Sequence, residues 1–143
     1  MSSGESPTVA ALQDVLAGEH AAVYVYGVLG AQTSRSRQRT LYEDVIGAFL
    51  AHRQRRDRLT ATITRLGDQP VAADPAYDVP ADLSTSTHVE AAALHVERGC
   101  AKAYAYAIAN TTGADRRWLT DALLDAATRE IAFRGSPQDF PGI

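Results

Sequence analysis

One glutamate, set on the apolar face of what reads as the first helix, constrains this fold more than any other feature. In the stretch LQDVLAGEHAAVYVYGVLG, residues 12–30, Leu12, Leu16, Val23 and Tyr26 recur at helical spacing, and Glu19 sits among them. A carboxylate carried into a core is costly unless it is hydrogen-bonded or paired with a cation. The rest of the chain must therefore bring donors or cations to the depth of Glu19.

Apolar periodicity and end signals divide the chain into four helices, expected near residues 7–31, 37–66, 87–111 and 114–134, with an extended tail over 135–143. Ser6 and Pro7 read as an N-cap followed by proline at the first helical position, where the missing N–H costs nothing. The second stripe is Leu41, Val45, Phe49, His52, Arg56, Leu59, Ile63 and Leu66, and Gly67 is a natural residue to end it. Prolines 70, 75 and 80 make the next stretch an extended connector. Thr87 and Glu90 have capping-box spacing, and Thr112 with Asp115 suggests a second box. The third helix carries Leu94, Glu97, Ala101, Tyr104 and Ile108 on one face, the fourth Leu119, Leu123, Ala126, Glu130 and Phe133. Helix four is expected to stop at Gly135, and Phe140 to pack back on the bundle. No segment has strand periodicity. The fold class is all-α, one domain over residues 1–143.

The links are short, long and short. A connector of about twenty residues reaches up to ~66 Å when extended, and a helix of roughly thirty residues is ~45 Å long. The middle link can climb the whole bundle, which makes the second and third helices parallel and leaves two antiparallel hairpins. That is the one-crossover arrangement of ferritin-like bundles. Polar residues on the apolar faces provide a check. Counted from the end where the first helix starts, Glu19 lies about 18 Å up, His52 and Glu97 about 21 Å, and Arg129 and Glu130 about 22–24 Å. A simple up-down path would scatter them, with Glu97 near ~15 Å and Glu130 near ~6 Å.

Ferritin-like di-metal sites draw one Glu from each of two helices and a Glu-x-x-His pair from each of the others. Glu19 and Glu97 match the single positions and His52 matches a histidine. Three residues before His52 stands Phe49, and the corresponding pair on the last helix is Ala126 and Arg129. Glu130 is one residue out of phase. Arg56, one turn from His52, and Arg129 put cations where a metal would lie. The expected centre is thus a buried polar layer of Glu19, His52, Arg56, Glu97, Arg129 and Glu130, with the carboxylates neutralised by the arginines and histidine in a metal-free network. The alternative is one iron, manganese or zinc ion on Glu19, His52 and Glu97.

The segments AGEHAAVYVYGVLGA, AHRQRRDRL, VERGCAKAYA and DFPGI resemble an uncharacterised ferritin-like family found mostly in actinobacteria. The resemblance spans nearly the whole chain and implies the four-helix fold. It brings no assigned activity and no functional residues.

The remaining signals are weaker. The formal net charge of −3 argues against a dedicated nucleic-acid binder, and the run Arg53, Arg55, Arg56, Arg58 is broken by Asp57 and lies within helical periodicity. No apolar run is long enough for a membrane span. The MSSGESPT start has no leader character, and the single cysteine, Cys100, suits a reducing compartment, so the expected location is cytoplasmic. Cys100 has no evident activating partner. His20 reads as a flank residue, and His88 with His95 shares a helix face without a ligand set. Tyr24, Tyr26, Tyr104 and Tyr106 read as core residues and hydrogen-bond partners for the carboxylates. The expected role is binding or assembly, with a homodimer as the assembly. Two competing readings stay open: a metal-dependent oxidoreductase or metal-storage relative, and a small-molecule binder using the bundle interior.

Overall fold

The computed structural model describes residues 6–143; residues 1–5, the start of the segment read as lacking a leader, lie outside the described residues. Four α-helices follow one another: α1 (Pro7–Gln32), α2 (Arg39–Arg65), α3 (Ser86–Ala109) and α4 (Gly113–Ala132). No strand occurs among the described residues. No helix among them is long and apolar enough to cross a membrane.

Local chemistry sets the helix ends, with some shifts from expectation. Ser6 precedes α1, but its side chain makes no capping hydrogen bond. Thr85 rather than Thr87 caps α3, its side chain accepting the His88 N–H at 3.2 Å. Thr85 is the last extended residue, so only its hydroxyl faces the free amides of the first turn. Thr112 stands at the start of α4 without a side-chain cap, so no box closes with Asp115. After α2, Gly67 adopts φ +86° and the Asp68 N–H reaches back to the Ile63 carbonyl at 3.2 Å. At the end of α4 the left-handed residue is Arg134, φ +68°, and the Gly135 N–H closes on the Glu130 carbonyl at 2.7 Å.

Side chains report which ends meet. Gln13, near the start of α1, bonds the backbone of Gln69 and Val71 just beyond α2. Gln38 at the head of α2 donates to Ser86 at the head of α3, 2.6 Å. Thr8 donates to the carbonyl of Asn110, just past α3, at 2.7 Å. Arg134 beyond α4 faces Glu90 in the first turns of α3 at 3.7 Å.

The core is filled by Leu12, Leu16 and Leu29 of α1, Val45, Leu59 and Ile63 of α2, Ala93 and Ala107 of α3 and Leu119 of α4, with Phe133 closing one end. Fully burying an aliphatic side chain of this size contributes about 1.5–3 kcal/mol, so this set outweighs any single polar contact. The connector between α2 and α3 lies along α1: Tyr77 packs on Tyr24 at 5.6 Å, and the His20 Nε2–H donates to the Val71 carbonyl at 2.9 Å. The tail departs from expectation. Phe140 is 73% exposed and does not pack inward. Gly142 is the residue that seats the tail, lying so close to the Ala101 carbonyl that a β-carbon there would collide with it.

Candidate functional site

Glu19 on α1, His52 on α2 and Glu97 on α3 are fully buried and meet at the centre. The His52 Nδ1–H donates to Glu19 Oε2 at 2.5 Å, and its Nε2–H donates to Glu97 Oε1 at 3.1 Å. One imidazole thus bridges two carboxylates. Burial alone would lower the His52 pKa, but the hydrogen bonds to Glu19 and Glu97 and their charges prevail, raising it to about 9. The bridging histidine is an imidazolium.

Two tyrosines complete the centre in a reciprocal pattern. The Tyr26 O–H, seven residues after Glu19 on α1, donates to Glu97 Oε1 on α3 at 2.6 Å. The Tyr104 O–H, seven residues after Glu97 on α3, donates to Glu19 Oε1 on α1. Glu-x₆-Tyr therefore occurs once on each helix, and each tyrosine serves the other helix's glutamate. Burial first, then the neighbouring carboxylates, pushes both phenols well above their usual range, so each stays a donor. Tyr26 also stacks on the His52 ring, 5.4 Å between centroids.

Behind Glu19 the network continues outward. Arg55 Nη1 donates to the Tyr104 oxygen at 3.3 Å, and Arg55 Nη2 donates to Asp125 Oδ2 on α4. Arg129 Nε meets the same Asp125 oxygen at 2.9 Å. Burial opposes the charge on Asp125, but the two guanidinium groups hold its carboxyl below the usual range. Glu19, Glu97 and Asp125 face His52, Arg55 and Arg129, so formal charges balance along the chain of contacts.

The expected layer is assembled only in part. Glu19, His52 and Glu97 come together. Arg56 does not join them; it lies on Asp57 at the surface, Nε to Oδ1 2.9 Å. Arg55, about 100° round the helix from Arg56, occupies the inward position instead. Arg129 meets Asp125 and neither glutamate. Glu130 is buried beside Arg98, Nε to Oε2 3.5 Å, and has no bond to the central three. Tyr26 and Tyr104 are carboxylate donors, whereas Tyr24 and Tyr106 are exposed. His88 pairs with Asp82 at 3.1 Å. The missed residues are Arg55 and Asp125, and the matched Glu-x₆-Tyr spacings were the signal for the tyrosine exchange.

Cys100, one turn after Glu97, is also buried here. One donor atom each from Glu19, His52 and Cys100 lie within 4.8 Å of one another. Burial, then the nearby carboxylates of Glu19 and Glu97, pushes the thiol well above its ordinary range, so it is protonated and a poor nucleophile. A second feature is an unpaired oxygen: Glu97 Oε2 is buried without a hydrogen-bond partner, as is Glu130 Oε1.

Fold and site define an all-helical, four-helix protein with a carboxylate–imidazolium–carboxylate centre. The chain belongs to the family described as a domain of unknown function (DUF4439), whose model matches residues 11–143. Its structure is similar to the crystal structure of a conserved hypothetical protein, rv2844, from Mycobacterium tuberculosis, at 28% identity and TM-score 0.81, covering 90% of this chain and 89% of that one. Comparison with curated proteins gives no match. The function of the family is unknown, and so is that of this chain.

Proposed function

We propose that this is a ferritin-like bundle, two antiparallel hairpins joined by a long crossover, that acts by binding or assembly rather than by metal-dependent turnover. The meeting of the heads of α2 and α3 at Gln38 and Ser86 supports the crossover, since parallel helices bring like ends together. So does the meeting of the start of α1 with the end of α3 through Thr8 and Asn110.

The residues present do not fit a di-metal group. Phe49 stands where a bridging carboxylate would precede His52, Ala126 is fully buried on α4, and Arg129 is bound to Asp125. The observation that carries the metal-free reading is that both His52 nitrogens face carboxylates and act as donors. An imidazolium has no lone pair for a metal. The proton bridge supplies the positive charge that a metal would supply in a ferritin-type centre. A homodimer in the cytoplasm is the form proposed; the buried free thiol of Cys100 supports a reducing location.

A second reading has its own observation. The clustering of Glu19, His52 and Cys100 suits one zinc, iron or manganese ion, with Glu97 beside it, if His52 and the thiol give up their protons. Metal analysis of protein purified without chelators, with each of these metals supplied in turn, decides between the two. Less than about a tenth of an equivalent of metal is expected. One equivalent per chain, lost in Glu19→Ala, would overturn the metal-free reading, and its loss in Cys100→Ser would identify the thiolate as a ligand.

A further inference from the structure

The face of α2 turned away from the polar centre carries a second ordered stripe. Arg39, Glu43, Ile46, Leu50, Arg53 and Asp57 follow one another at alternating spacings of four and three. At about 100° per residue, all six lie within roughly 40° of one line along the helix, as the seam positions of a coiled coil do. That line runs opposite Val45, Ala48, His52 and Leu59, which are buried in the core. The four charged residues are exposed, Ile46 is half-buried beside Gly30 of α1, and Leu50 is 49% exposed. An aliphatic pair thus stands at the middle of a charged face that the bundle core does not use.

The order of charges along the stripe identifies its occupant, because it is complementary to its own reverse. A second α2 laid antiparallel, with a two-fold axis at the level of residue 48, sets Arg39 against the partner's Asp57, Glu43 against the partner's Arg53 and Ile46 against the partner's Leu50. Two-fold symmetry makes each of these contacts twice. A parallel copy in register would oppose like charges. An antiparallel copy one heptad out of step would put Ile46 against the partner's Asp57 and Leu50 against the partner's Arg53. Within the chain Arg39 meets Glu43 Oε1 and Arg56 meets Asp57 Oδ1, which leaves the other oxygen of each acid for a second cation. The Arg53 guanidinium lies over the Phe49 ring, 5.6 Å from its centre, at the flank of the stripe. Gly27 of α1, exposed beside Phe49, has no side chain to hold a second helix off. We propose that two copies of this chain associate through antiparallel α2 helices about an axis at residue 48, an inference that rests on the homodimer reading above and names its surface.

Sedimentation equilibrium of the full chain tests both readings. Contact along one helix pair is small, so a dissociation constant on the order of micromolar is expected, within reach of samples at up to about 200 µM. A monomer throughout that range would overturn the homodimer and this interface together. Leu50→Glu and Glu43→Arg are each expected to weaken dimerisation about tenfold or more, and Glu43→Arg combined with Arg53→Glu to restore it to within about threefold. A dimer that both single variants leave unchanged would keep the homodimer and overturn the α2 interface. Glu43 and Arg53 are exposed, so their variants test association rather than folding. The register is read by oxidising Glu43→Cys and Arg53→Cys protein with diamide, mixed and separately; Cys100 is buried. The mixture is expected to form a disulfide between two different chains. Neither variant alone should, since like positions lie about 15 Å apart along the pair. Cross-linking of either variant alone as fast as in the mixture would overturn the antiparallel pairing.

Discussion

The two glutamates of the centre occupy matching positions and live in different surroundings. Each is followed seven residues later by a tyrosine that serves the other, and each takes one nitrogen of His52. Behind Glu19, however, stand Tyr104, Arg55 and Asp125, a route that ends at the half-exposed edge of α4. Glu97 forms no ion pair with an arginine or lysine among the described residues, and its second oxygen is unpaired. The centre is therefore polarised: His52 is held more closely by Glu19, 2.5 Å against 3.1 Å, on the side where the charge is also relayed outward.

The largest effect should come from removing the bridge itself. His52→Ala leaves two carboxylates buried without their shared cation, and loss of one partner from a buried ionic set typically costs about 3–5 kcal/mol. Urea unfolding at neutral pH should show this loss or failure to fold. A cost under about 1 kcal/mol would mean that the carboxylates do not depend on the imidazolium.

Titrating the same bridge offers a milder probe. The folded pKa of about 9 lies above the ordinary 6.5, so the protonated bridge stabilises the fold fully below about pH 6.5. That contribution falls as pH rises through about 9, by about 3 kcal/mol in all. Unfolding midpoints measured between pH 6 and 10 should decline across that window. A flat profile would remove the ionic bridge from the account.

Glu19→Ala strands donors on His52 and Tyr104, whereas Glu97→Ala strands one donor on His52, leaves the Tyr26 O–H the Ala93 carbonyl at 3.4 Å, and also removes an unpaired oxygen. Glu19→Ala is expected to cost more, by about 1–2 kcal/mol. Equal costs by chemical denaturation would show that the halves are equivalent.

The smallest contrast lies between neighbouring arginines. Arg55→Ala should lower stability by about 1–3 kcal/mol, since it removes charge-assisted bonds in a mostly buried site. Arg56→Ala should change it by less than about 0.5 kcal/mol, because its pair with Asp57 is exposed. Thermal melts of the two variants side by side would test this, and the reverse order would refute the assignment of Arg55 as the inward residue.

Glu19, His52 and Glu97 were recognisable in the sequence because each polar residue interrupts an apolar stripe, and buried position follows from stripe membership. Arg56 lies on the same stripe as His52 and reads as inward for the same reason. Periodicity does not separate it from Arg55, since residues three and four places along a helix flank one face almost equally. The positions of Tyr104 on α3 and Asp125 on α4 favour Arg55. The tail is a similar case: apolar character pointed to Phe140 as the anchor, while the contact is made by Gly142, whose value is the lack of a side chain.

By itself the sequence determined four helices, their approximate limits and the inward position of Glu19, His52 and Glu97. These depend on interactions within a few residues: the repeat of apolar side chains, Pro7 at a helix start, Gly67 in a left-handed turn. The tertiary structure alone decided which partner each polar group takes. Sliding α1 along α3 by one turn would leave every local signal unchanged and would take Tyr104 away from Glu19 and Tyr26 away from Glu97. That register is set by packing between distant segments, so the exchange of tyrosines between the two glutamates appears only when the helices are assembled.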